Sequence, residues 1–112
     1  MSAALKLTCE MEGQMTGVYV TFQYSEDFDR SRVEQVAQRA RDTFEGMPGL
    51  RFKFFTVDEK EKRAVNFYVW DSVKAADAFF NEELTDRVAG LYGVKPTINF
   101  VDIAEVVDNS RL

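Results

Sequence analysis

Histidine is absent from this chain, and cysteine occurs once, at Cys9. Without histidine there is no His-ligated metal or haem, no Ser-His or Cys-His nucleophile pair and no imidazole base. A single cysteine cannot close an internal disulfide or hold an iron–sulfur cluster, and nothing basic flanks Cys9 closely enough to activate it. No haem, no iron–sulfur cluster and no catalytic transition metal are therefore expected, and the compartment expected is the reducing cytoplasm. No apolar run approaches the roughly 20 residues of a membrane span. The N-terminus lacks a basic region followed by an apolar one, so no signal peptide is expected. Lys/Arg clusters are also missing, and the net charge is −5. Nucleic acid and anionic membrane surfaces are not the expected partners.

What is present is ordinary in amount and unusual in kind. A chain of 112 residues, 46% hydrophobic and 29% charged, suits one domain with one core. Ten phenylalanines suggest a core or pocket rich in rings.

Residues 1–16 are poorly patterned and read as a loosely held arm, with an edge strand around Leu5, Leu7 and Cys9 as the alternative. A domain over 17–109 and a tail over 110–112 follow. Gly17–Tyr24 alternates, with Val18, Val20, Phe22 and Tyr24 on one face, and predicts a strand. The spacing of Val33, Val36, Ala37, Ala40 and Phe44 predicts a one-sided helix over 30–45. Its N-cap is either Asp29 or a Ser31/Glu34 capping box. Leu50–Val57 predicts a second strand, with Leu50, Phe52, Phe54 and Thr56 on one face and Arg51, Lys53, Phe55 and Val57 on the other. Asp58–Lys62 reads as a charged hairpin turn.

Arg63–Asp71 is the most strongly β-favouring stretch. Alternation places Asn66, Tyr68 and Trp70 on one face and Val65, Phe67 and Val69 on the other. The first face carries an amide, a phenol and an indole, which makes it the best candidate for a ligand-facing row. Ser72 is expected to cap a helix running through Leu84, with Val73, Ala76, Phe79 and Phe80 inward. A short helical stretch over Thr85–Tyr92 and a fourth strand over Thr97–Val107 complete the chain.

The order β-α-β-β-α-β predicts an α+β, ferredoxin-like fold: one antiparallel sheet with helices on one face. Several strands are apolar on both faces, yet the helices cover only one. A homodimer packing sheet against sheet resolves the mismatch.

The segments Met47-Pro48-Gly49-Leu50-Arg51-Phe52-Lys53, Phe67-Tyr68-Val69-Trp70, Thr85-Asp86-Arg87, Gly93-Val94 and Val101-Asp102-Ile103 together resemble the YdhR-like monooxygenases. These are a branch of the dimeric α+β barrel superfamily, which also holds the antibiotic-biosynthesis monooxygenases. The resemblance spans about Val18 to Asn109. It implies a homodimer with a pocket between sheet and helices in each subunit. It also implies oxidation of a phenolic or quinol-like aromatic by O2 without metal or flavin. In that superfamily an Asn and a Trp four residues apart on the third strand accompany the activity, a spacing that Asn66 and Trp70 match. An Arg further on does too, and Arg87 is the nearest match. Tyr68, Phe79, Phe80 and Tyr92 would bind the ring.

Such an oxygenase needs the substrate as its phenolate, so donors from Asn66, Trp70 and Arg87 would stabilise the anion. The same residues also fit a structural role, with Trp70 filling the core, Asn66 bonding a turn and Arg87 in solvent. Two other functions stay open: a non-catalytic binder of a small apolar ligand, and an isomerase or cyclase whose acid or base is Asp, Glu or Tyr. The two-faced strands predict a dimer in sedimentation at micromolar concentration; a stable monomer would contradict it.

Overall fold

The structure is a computed structural model that describes residues 14–111. The expected N-terminal arm therefore lies outside the described residues, except for its last three, and so does Leu112. The elements in order are β1 (Thr16–Gln23), α1 (Arg30–Phe44), β2 (Leu50–Asp58), β3 (Arg63–Trp70), α2 (Val73–Phe79), α3 (Glu82–Tyr92) and β4 (Thr97–Asp102), then a 3-10 turn (Asn109–Arg111). The strands form one antiparallel sheet in the order β2-β3-β1-β4, the ferredoxin-like arrangement that the element order predicts.

Pairing sets the two faces. Val18, Val20 and Phe22 of β1 lie opposite Tyr68, Asn66 and Ala64 of β3, and all six are buried. This face meets the helices, where Val33, Ala76 and Tyr92 join the core. The opposite face holds Tyr19, Phe52, Phe54, Phe67 and Val101; all of these but Phe67 are exposed there. Their rings run together, Phe52 to Phe54 to Phe67 to Tyr19, with neighbouring centroids 4.6–6.5 Å apart. Gly17 is needed on this side: a Cβ there would stand 2.9 Å from Val101 and 3.0 Å from Phe67.

Three local expectations change. The alternation of β2 breaks at a bulge between Leu50 and Phe52. Leu50 therefore pairs with Trp70 and packs on the core, while Phe52 and Phe54 face away from the helices. An extra residue on one strand shifts its side chains to the other face. The helix expected to run from Ser72 through Leu84 is two helices. Ser72 caps the first by accepting from Ala75 N at 3.1 Å. Asn81 then accepts from Leu84 N at 2.8 Å and starts α3. A residue that bonds the backbone this way ends one helix as it opens the next. Val73, expected inward, is 46% exposed. Finally, β4 ends at Asp102 rather than Val107, where its partner among the described residues runs out: Asp102 pairs with Thr16, the first residue of β1.

The two readings of the α1 start are resolved in favour of Asp29, whose Oδ1 accepts from Arg32 N at 3.3 Å. At the far end of α3, Gly93 adopts φ +83° and its N–H closes the helix on Ala89 O at 2.8 Å. Removing the α3 cap with Asn81→Ala should lower stability by about 1 kcal/mol. In urea unfolding this would shift the midpoint without changing the slope.

Candidate ligand cavity

A cavity of about 440 Å³ lies between the helix-covered face of the sheet and the helices. That is within the roughly 300–1,000 Å³ range of small-molecule sites. Its floor is the sheet: Val20 and Phe22 from β1, Lys53 and Phe55 from β2, Asn66 and Tyr68 from β3, and Ile98 from β4. Its walls come from Phe44 and neighbours on α1, from Phe79 and Phe80 at the end of α2, and from Leu84 to Tyr92 on α3. Phe79 and Phe80 close α2, and after the break at Phe80–Asn81 α3 supplies the next wall.

Six of the seven residues expected at a site line this cavity: Asn66, Arg87, Tyr68, Phe79, Phe80 and Tyr92. Trp70 does not. It is 2% exposed and sits behind Tyr68, with ring centroids 6.0 Å apart and planes 11° apart. Phe79 and Phe80 stand 5.0 and 6.0 Å from it. Its Nε1 is buried with no hydrogen-bond partner among the described residues. The expected indole donor is thus screened from the cavity by the neighbouring rings.

Two polar pairs face the cavity. Asn66, 3% exposed, donates from Nδ2 to the Tyr92 hydroxyl at 3.1 Å. Tyr92 stacks on Phe22 with centroids 3.8 Å apart, and its carbonyl accepts from the Tyr24 hydroxyl at 2.6 Å. The second pair is Lys53 and Tyr68: Nζ donates to the phenol oxygen at 2.7 Å. Nζ also lies over the rings of Phe44, Tyr68 and Phe55, at 3.5, 4.1 and 4.3 Å from their centroids.

Burial dominates the electrostatics. It lowers Lys53 from its ordinary value to about 7. Ring faces attract an ammonium, but by about 0.5–2 kcal/mol each, and here desolvation wins. No salt bridge among the described residues includes Lys53. Burial raises the phenols of Tyr68 and Tyr92; for Tyr92, the Asn66 hydrogen bond offsets part of the rise. Near neutral pH both phenols therefore keep their protons, while Lys53 holds its own only part of the time.

Sequence reasoning placed Lys53 on a face with Phe55 and Val57 but assigned it no role. The signal was there: a cation at alternate spacing with apolar residues, on the face that the helices cover. Arg39, which is not among the apolar residues of its helix, lines the cavity too. Arg87 is mostly exposed and reaches Glu83 at 3.8 Å. Among the described residues, the lining holds three basic side chains and no carboxylate. No group of three Asp, Glu or Cys side chains among the described residues could hold a metal ion. No helix among them is long and apolar enough to cross a membrane.

No family model matches the chain, and no curated protein matches it. Solved structures do. A monooxygenase from Streptomyces coelicolor, solved with the ligand nanaomycin D, is 16% identical with a TM-score of 0.64, covering 84% of this chain and 91% of its own. SnoaB, a cofactor-independent oxygenase from Streptomyces nogalater, is 14% identical with a TM-score of 0.59, covering 85% and 97%. A hydroxynitrile lyase from Passiflora edulis is 10% identical with a TM-score of 0.58, covering 86% and 99%. Structures of the antibiotic-biosynthesis monooxygenase type recur among the matches. At these identities the likeness is one of fold, and the lyase shows that the fold hosts more than one chemistry.

The buried lysine gives stability a definite pH dependence. In the unfolded chain a lysine stays protonated up to about pH 10.4. In the folded chain Lys53 is neutral above about 7. Between these values the unfolded state holds one proton more, so Lys53 makes stability rise with pH across that window. Below it both states carry the proton, and the cost of the buried ammonium is fully present. Lys53→Met should flatten the rise and melt higher than the parent below pH 7; parallel melting curves from pH 6 to 10 would refute the burial argument.

Proposed function

We propose that this protein is a cofactor-independent monooxygenase of the YdhR-like kind, oxidising a phenolic or quinol-like aromatic with O2. The observation that carries this reading is the cavity itself. It is walled by rings, floored by two hydrogen-bonded polar pairs and basic throughout its charged lining. Such a space suits a flat aromatic held as an oxyanion. Oxygenases of known structure with the same fold support it.

In this reading Phe79, Phe80, Tyr68 and Tyr92 hold the ring and keep the reactive intermediate dry. Asn66 orients the Tyr92 hydroxyl. That oxygen accepts from Asn66, so its own proton is free to donate to a substrate oxygen. Arg87 supplies positive charge at the exposed side of the cavity. The substrate reduces O2 itself: a phenol with a free para position gives a quinone and water, one oxygen atom going to each. Trp70 supports Tyr68 by stacking and reaches a substrate only through movement of Phe79 and Phe80. The bare aromatic sheet face is the proposed seam of a homodimer, with a second copy covering Phe54, Phe67 and Tyr19.

A specific observation also favours a second reading, an isomerase or cyclase. The Lys53–Tyr68 pair provides the acid and base that no carboxylate in the described lining provides.

Oxygen uptake on a panel of hydroquinones and anthrones, with chelator present and flavin absent, separates the two. The monooxygenase should accelerate uptake and yield, with water and without hydrogen peroxide, the quinone from an anthrone and the hydroxyquinone from a hydroquinone. Asn66→Leu should slow it about tenfold to a hundredfold, because the Tyr92 hydroxyl loses the partner that aims it, and a donor to a charged oxygen is worth roughly 1.5–3 kcal/mol. Trp70→Phe should slow it far less. Product formed without oxygen uptake would favour the second reading.

A further inference from the structure

We propose that Lys53 is the proton acceptor of this cavity, and that the cavity takes a weakly acidic aromatic, a phenol or enol, which enters neutral and is held as its anion. This deepens the reading above and rests on it for the class of ligand.

The geometry puts the amine where a base is needed. Nζ projects from the sheet floor among the rings of Phe44, Phe55 and Tyr68, and among the described residues its one hydrogen bond is to the Tyr68 hydroxyl. The groups facing it bring no negative charge. From α1 comes Arg39, from α3 come Arg87 and the neutral phenol of Tyr92, from β3 comes the neutral phenol of Tyr68, and α2 contributes only rings. An ammonium in this place has no counter-ion in the described lining. A ligand oxyanion would supply one.

Proton transfer is balanced within the pair. The ligand O–H bond breaks, its proton bonds to the lone pair of Nζ, and the electron pair stays on the ligand oxygen. Tyr68 takes part through its hydrogen bond. While Nζ is an amine, the Tyr68 hydroxyl can donate to it. Once Nζ is an ammonium it can only donate, and the Tyr68 proton is released to point at the anion. One transfer thus creates two donors to the new oxyanion, and Arg39 and Arg87 add positive charge. Because burial places the amine near 7, it is free to accept at the upper end of the neutral range.

The test is calorimetric binding of 2-naphthol under argon, in paired buffers of different ionisation heat, which counts protons released on binding. At about pH 6 the parent should release close to one proton per naphthol, because Lys53 already holds its own. At about pH 8.5 it should release almost none, because the naphthol proton passes to Lys53, and the bound probe should show naphtholate absorption. Lys53→Met should release almost none at either pH and bind naphthol in its neutral form, no tighter than 2-methoxynaphthalene. Lys53→Arg, always charged, should release about one proton at both. Naphthol bound neutral by the parent, naphtholate still held by Lys53→Met, or no binding of naphthol by the parent would overturn the proposal. The two readings fail separately. Naphtholate held by Lys53 with no oxygen uptake on any hydroquinone or anthrone removes only the monooxygenase. Oxygen uptake undiminished in Lys53→Met removes only the role of the lysine.

Discussion

The register between β1 and β3 is the constraint on which the rest depends. The two strands pair without a break from Thr16 opposite Trp70 to Gln23 opposite Arg63. That places Asn66, Tyr68 and Trp70 beneath the helices and Val65, Phe67 and Val69 on the far side. A slip of one residue would reverse every side chain, burying Tyr19 and Phe67 under the helices and exposing the polar row. Val18, Val20 and Phe22 hold the register, because each is buried against its partner on β3.

With that register in place, the cavity follows from incomplete filling. Phe44 of α1 and Phe79 and Phe80 at the end of α2 meet one another and Tyr68 of the sheet edge-on or tilted, at centroid distances of 4.9–5.9 Å, rather than stacking flat. Trp70 fills one end of this layer, and its N–H has no partner there among the described residues. The other end stays open, and there the polar atoms gather. Low polarity then shapes their chemistry. The same desolvation that keeps Tyr68 and Tyr92 neutral keeps Lys53 from holding its proton tightly. Two kinds of group that in water titrate close together on the pH scale are driven apart by one cause, and each is held toward its neutral form.

The helix break at Phe80–Asn81 illustrates how a local bond governs the site. Asn81 satisfies the Leu84 N–H at 2.8 Å and its carbonyl accepts from the Thr85 hydroxyl at 3.0 Å. The chain turns there, so Phe79 and Phe80 end one wall as Leu84 begins the next. Apolar spacing alone favoured one continuous helix, because Phe79, Phe80 and Leu84 are compatible with a single stripe.

By itself the sequence determined the element types, their order, the ferredoxin-like class, the shared face of Asn66, Tyr68 and Trp70, and the surplus of apolar residues on the opposite face. These depend on period-two and period-3.6 patterning, which is local. It left open what tertiary contact decides. The bulge at Leu50–Phe52, the end of β4 at Asp102 and the choice of Asp29 as a cap depend on partners distant in sequence or on competition between neighbours. The exclusion of Trp70 from the cavity depends on which rings pack first against it. Lys53 is the clearest case. Alternation places it on the covered face, but whether a lysine there is solvated or buried depends on how closely Phe44, Phe55 and Tyr68 close around its amine, and only the packed structure sets that distance.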